Sequence, residues 1–139
     1  MIHKDVRDIL LSRLQGVQGI PVITTENRPY QAKDRVHFVR FGFEPRETMV
    51  RSTMVYGNPI QELAGLVRIS IFVPRGSDVD ELYGYAGLIL DEFRASSRLS
   101  KEQNTVHVLK SWTETIREEA EWTQLPVFVR WMAHYTSSL

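Results

Sequence analysis

Gly65-Leu66-Val67-Arg68-Ile69-Ser70-Ile71-Phe72-Val73-Pro74-Arg75-Gly76-Ser77-Asp78-Val79 opens the stretch whose reading decides the fold, and the stretch runs on to Phe93. In its first half Val67, Ile69, Ile71 and Val73 alternate with Arg68, Ser70 and Phe72, the period of two of a strand covered on one face. Pro74-Arg75-Gly76 breaks that period. From Val79 the apolar residues Leu82, Tyr85, Ala86, Ile89 and Phe93 recur every three to four positions, which predicts an amphipathic helix over 79–93. Ser77 is the expected N-cap, with Asp80 three residues on. The helix is expected to cover the apolar face of the strand's sheet.

Working outward, Val6, Ile9, Leu10 and Leu14 form a helical stripe from Lys4 to Leu14, and Gly16 marks its end. Gly19 and Pro21 turn the chain into a short strand, Val22-Ile23-Thr24. The segment Glu26-Asn27-Arg28-Pro29-Tyr30 is turn chemistry, and a strong strand follows from Val36 to Phe43. Glu44-Pro45 ends that strand's pattern. Arg46 to Tyr56 is rich in β-formers, and Gly57-Asn58-Pro59 suggests a projecting hairpin that runs to Ile60. After the second helix, residues 95–100 read as a polar linker. Val106 to Leu109 begins a strand that continues or bulges toward Ile116. Thr113 to Glu121 reads as a charged loop, a short helix or the outer part of a hairpin. Pro126 to Tyr135 is a final strand, with Val127, Val129, Trp131, Ala133 and Tyr135 on one face. The expected fold is one α+β domain over residues 1–139. Its sheet is mostly antiparallel, with five to six strands and two helices packed on one face.

The chain has 139 residues, enough to bury roughly 70% of its unfolded surface in one core. Seventeen basic and seventeen acidic residues cancel, so no global field draws the molecule to nucleic acid or an anionic membrane. No apolar run approaches the ~20 residues of a membrane span. The first eight residues alternate in charge and lack the apolar run of a signal peptide, so the chain reads as intracellular. Cysteine is absent, which removes disulfides, thiol nucleophiles and cysteine-ligated metal sites.

Sites of chemistry are sparse. The histidines His3, His37, His107 and His134 show no recognised metal-ligand spacing, so no metal and no cofactor is expected. Glu114, Glu118, Glu119 and Glu121 crowd charged oxygens together, yet read more simply as a solvated charged segment. No serine lies in a nucleophile elbow, and no glycine pattern fits a phosphate loop or dinucleotide fingerprint. No catalytic residue is assigned.

The outer faces of three strands carry long mixed side chains: Phe38 with Arg40, Arg68 with Phe72, and Phe128 with Arg130 and Met132. Arginine, methionine and aromatic residues are the types enriched at interface cores, so these seven are the candidate subunit interface. The other reading is that the N-terminal helix, or the loop around Trp112 and Trp122, covers them within the chain. Gly84 and Gly87 on the second helix predict a close backbone approach, either to its own sheet, the simpler case, or to a neighbour.

The chain resembles the small tail-terminator and tail-completion proteins of long-tailed bacteriophages and prophages. The resemblance rests on the first helix leading to Ile20-Pro21-Val22, the turn at residues 26–30, and Phe38-Val39-Arg40-Phe41. It continues in Gly65 to Pro74 with Gly76, the helix with Ala86, Ile89 and Phe93, and Trp122 before Gln124-Leu125-Pro126-Val127. Nearly the whole chain is covered, by order and spacing rather than by any catalytic signature. It implies a structural, non-enzymatic subunit of the virion tail, made in the host cytoplasm. Its copies are expected to form a homo-oligomer, a hexameric ring, that caps the head-proximal end of the tail tube. Its partners would be the tail tube protein, the head-connector protein and, transiently, passing DNA. The projecting hairpin, with Met49, Arg51, Met54, Tyr56 and Asn58, is the candidate for docking on the tube. Two alternatives stay open. One is a neck or head-completion adaptor. The other is a dimeric ferredoxin-like ligand-binding domain or enzyme, whose mark would be a pocket where His37, His134 and Tyr135 converge.

Overall fold

The computed structural model describes residues 2–26, 36–55, 58–101 and 104–136. The elements run α1 (Ile2–Gln15), β1 (Val22–Thr25), β2 (Phe38–Val55), β3 (Asn58–Pro74), α2 (Val79–Glu92), β4 (Arg98–Lys101), β5 (Asn104–Thr113), β6 (Arg117–Glu118) and β7 (Trp122–Thr136). The class is α+β. The seven strands join one sheet in the order β1-β2-β3-β7-β5-β4, with β6 paired to β7.

The sheet is mixed. β1 runs parallel to β2, with Val22 opposite Phe38 and Thr25 opposite Phe41, and the other pairs are antiparallel. A parallel neighbour requires the chain to travel back along the strand before re-entering, and residues 26–37 lie between the two. The turn reading of 27–30 falls outside the described residues.

Seven strands exceed the expected five to six, and β4 and β6 are the two with no counterpart in the sequence pattern. The stretch read as a linker contains β4, where Leu99 is buried opposite Val106. One apolar residue in a polar run carries no periodicity, so the strand left no signal. The charged segment supplies β6, whose Arg117 and Glu118 pair with Gln124 and Thr123. The pattern break at Glu44-Pro45 does not end β2 either. Pro45 lacks an N–H, and the ladder accommodates it with a register shift between Pro45 and Glu47. A second bulge, between Val108 and Lys110, lets β5 continue to Thr113 while Leu109 turns outward.

The two periods read from the sequence meet in the core. Val67, Ile69, Ile71 and Val73 of β3 and Val127, Val129 and Trp131 of β7 lie in one buried cluster with Val6, Leu10 and Leu14 of α1 and Leu82, Ala86 and Ile89 of α2. Each valine, leucine or isoleucine among them contributes about 1.5–3 kcal/mol by leaving water. The cap of α2 is Asp78 rather than Ser77: its side chain accepts from the Asp80 amide at 3.0 Å. Ser77 instead donates its amide to the Pro74 carbonyl in the preceding turn.

The midpoint of β3 is the tightest point of the sheet. A Cβ on Gly65 would lie 2.5 Å from the Glu44 carbonyl oxygen, 2.8 Å from the Pro45 Cα and 2.9 Å from the Trp131 ring. Two of these three are backbone atoms of the bulged strand, which cannot swing aside. Trp131 in turn stacks on Phe43 at 5.3 Å, so the pair fills the space that the missing side chain leaves. Gly65→Ala is expected to cost about 1–3 kcal/mol, read as a lower denaturation midpoint, because the strands must part to admit the methyl group.

Glu26 ties α1 to the sheet. One carboxylate oxygen accepts from the Arg7 guanidinium at 2.8 Å and the other from the Phe43 amide at 2.7 Å. Partial burial alone would push this carboxyl up, but the hydrogen bonds from Arg7 and Phe43 outweigh it and hold Glu26 below the ordinary glutamate value of 4.5. A depressed carboxyl stabilises the fold above its unfolded pKa, and that contribution fades as pH falls through the folded value. Glu26→Gln should therefore cost about 1 kcal/mol near neutrality, after discounting for the pair's partial exposure. The gap between wild type and variant in thermal melts should close as pH drops below about 4.5.

Candidate functional site

Residues two apart on a strand share a face, and the register between strands sets which residues stand side by side. Phe38 on β2 is opposite Phe72 on β3, and Arg68 on β3 is opposite Phe128 on β7. With Arg40, Arg130 and Met132 at the same parity, the seven residues of the expected interface occupy one face of the sheet. Val39, Phe41, Val67, Ile69, Val127 and Val129, at the other parity, belong to the core.

Aromatic rings floor this face. Phe38 and Phe72 stack in parallel at 4.5 Å, and Trp122 meets Phe38 edge-on at 5.0 Å. Both phenylalanines are only 4% exposed. Trp122 thus provides part of the cover that the sequence left as an alternative, while the buried residues of α1 join the core on the other side. Farther along, Trp112 of β5 stacks on Phe128 at 5.6 Å. Met132 is half-buried opposite His107.

Cations lie over these rings. The Arg40 guanidinium is 5.3 Å from the Phe72 ring centre, Arg68 is 5.1 Å from Phe128, and Arg130 is 5.9 Å from Trp112. The Lys110 ammonium sits 5.2 Å from Trp112. All four cationic residues are exposed, and among the described residues none is paired with a carboxylate. The ring faces restrain the long side chains, which reduces the entropy lost when a partner fixes them. Lys110 is absent from the sequence reading of this face, and Trp112 enters it only as part of a loop that could cover it. The bulge at Leu109 shifts their parity, and no alternation count that begins at Val106 reaches them.

The register also turns these cations into a row. On the β3 scale, Arg40 stands at Ser70, Arg68 at its own position and Arg130 at Leu66. Each step crosses one strand and slips two residues, so the three arginines form a diagonal about 17 Å long, from strand spacings of ~4.8 Å and rises of ~3.4 Å. Lys110 extends it, level with Arg130 on the next strand.

The other candidate chemistry does not assemble. His37 adjoins Phe38, at the level of Phe72, whereas His134 is opposite Glu62, ten residues away along β3. That separation is about 34 Å along the strand, so the two histidines do not converge on one pocket. Tyr135 lies outside the residues with described side chains. His37 accepts or donates at 3.0 Å with the Tyr85 hydroxyl and lies 3.3 Å from Glu81, a contact that joins β2 to α2. Burial, and then the Glu81 carboxylate, hold the Tyr85 phenol above its ordinary value, so it stays protonated. His134 lies 3.4 Å from Glu62. Among the described residues no group of three metal-ligating side chains comes together. Glu114, Glu118, Glu119 and Glu121 are exposed, with Glu114 accepting from the Trp112 indole at 3.0 Å.

Gly84 and Gly87 do not approach the sheet. A Cβ added at either would find nothing within 4 Å, so both lie on the open side of α2 rather than against the strands. The side chains of Met49, Arg51, Met54 and Asn58, and all of Tyr56, lie outside the described residues. The backbones of β2 and β3 pair there, from Met49 opposite Glu62 to Val55 opposite Asn58.

The family model described as "Phage tail terminator protein" matches residues 5–131. Thirty chains of solved structures match the fold. One of them superposes with a TM-score of 0.68 at 10% identity, over 95% of this chain and 98% of its own. At that identity the likeness concerns the fold alone. No curated protein matches.

Proposed function

The chain belongs to the phage tail terminator family, and we propose that its copies close into a hexameric ring on the head-proximal end of the tail tube. A structural part in the phage tail follows from the family. The ring, the end of tube growth and the joint to the head connector are the finer reading. The observation that carries it is the family match across residues 5–131. In this reading the two helices cover one face of the sheet, and the face of Arg40, Arg68, Phe128, Arg130 and Met132 is left for a neighbouring subunit.

A ring needs a contact of about 1,000 Å² or more whose rotation closes. Guanidinium groups on aromatic floors suit such a contact, because arginine and aromatic side chains dominate binding energy at interfaces. Zero formal charge suits a collar through which DNA passes without sticking. Among the described residues no helix is long and apolar enough to cross a membrane.

The β2–β3 hairpin, with Met49, Arg51, Met54, Tyr56 and Asn58 toward its end, is the part that docks on the tube. β7 accompanies β3 as far as Ile60, so only the end of the hairpin beyond Ile60 is two-stranded, and that end can adjust to a partner without disturbing the rest. Two outcomes test the function. Purified protein added to polymerising tube subunits should shorten the tubes in proportion to its concentration and leave density at one end in electron micrographs. Unchanged tube lengths would refute the capping role. Replacing residues 54–58 by a glycine-serine turn should weaken capping at least tenfold while thermal stability holds. Full capping by that variant would place tube docking elsewhere.

A further inference from the structure

A ring built from one kind of subunit joins two different patches, so the cationic sheet face accounts for only half of each contact. Resting on the ring reading, we propose that the other half is the outer side of α2 on the neighbouring copy. Asp80, Gly84, Gly87 and Asp91 are spaced by four, three and four residues, so they line one stripe of the helix. Leu82, Ala86 and Ile89 point the other way, into the core. The two glycines leave the middle of the stripe bare. Tyr83 and Leu88, 53% and 42% exposed, stand on either side of it.

Charge and spacing both match. Val79–Glu92 contains Asp80, Glu81, Asp91 and Glu92 and no lysine or arginine, while the sheet face carries Arg40, Arg68, Lys110 and Arg130. Glu81 faces His37, and Glu92 faces Arg13 at 2.9 Å, which leaves Asp80 and Asp91 as the carboxylates directed outward. Asp91 has one ion pair, with Arg94 at 3.6 Å, and both groups are over 70% exposed, so it exchanges readily. Eleven residues of helix separate Asp80 from Asp91, about 16–17 Å at ~1.5 Å per residue. The diagonal from Arg40 to Arg130 spans about 17 Å. A helix laid along it sets one carboxylate at each end of the row. The bare glycine stripe then passes over Arg68 and Phe128, where a larger side chain would hold the surfaces apart.

Charge reversal on each side tests the pairing. Asp80→Lys/Asp91→Lys and Arg40→Glu/Arg130→Glu should each raise the concentration needed for ring formation at least tenfold by sedimentation velocity, with circular dichroism unchanged. An equimolar mixture of the two variants should restore rings, because each reversed patch then meets its complement. Gly84→Gln/Gly87→Gln gives a second reading: the melting temperature should rise, since glycine weakens a helix, while assembly falls. A wild-type ring indifferent to these changes, or a mixture that fails to recover, would overturn this contact and leave the ring itself intact. A wild type that stays at 16.1 kDa, alone and with tail tubes, would overturn the ring and the contact together. Rings unaffected by the arginine reversals, together with loss of DNA retention, would assign the face to a polyanion instead.

Discussion

Strand β3 is hydrogen-bonded on both sides along nearly its whole length, to β2 from Asn58 to Phe72 and to β7 from Ile60 to Pro74. At its middle Gly65 lets Glu44, Pro45 and Trp131 come closer than any side chain would permit. This close approach fixes the register between the three long strands, because a slip of one residue would drive a side chain into the bulged backbone of β2 and turn every core residue outward. The rest follows from that register. It sends Val67, Ile69, Ile71 and Val73 toward the helices, and it sends Arg68, Ser70 and Phe72 to the face beyond them.

Much of this was legible in the chain. Alternation from Leu66 to Val73 and from Val127 to Ala133 identified the core faces, and the three-to-four spacing from Leu82 to Phe93 identified α2. Those signals are strong because each element is long and directs its aliphatic positions to one side. The same alternation collected Phe38, Arg40, Arg68, Phe72, Phe128, Arg130 and Met132 onto one face. It could not show that Phe38 and Phe72 are sealed beneath Arg40 and Trp122, since that depends on contacts between residues far apart in sequence.

Bulges and isolated apolar residues are where the fold departs from simple alternation. Pro45 looked like a terminator because a proline usually ends pairing, but a bulge absorbs it. Leu99 lacked apolar companions, so β4 resembled a linker. The bulge at Leu109 inverted the parity that would have brought Lys110 and Trp112 into the cationic row. Gly84 and Gly87 on a covering helix fit a close approach either to its own sheet, the simpler case, or to a neighbour. They lie on its open side, and that position makes α2 available to a neighbour.

A terminator ring requires copies of this chain to close on one another. Light scattering over a wide concentration range, with negative-stain images of the same sample, measures this directly. The prediction is a discrete species at about six times the 16.1 kDa subunit mass, with annular particles, populated further when tail tubes are added. A strict monomer or dimer without rings under both conditions would contradict it.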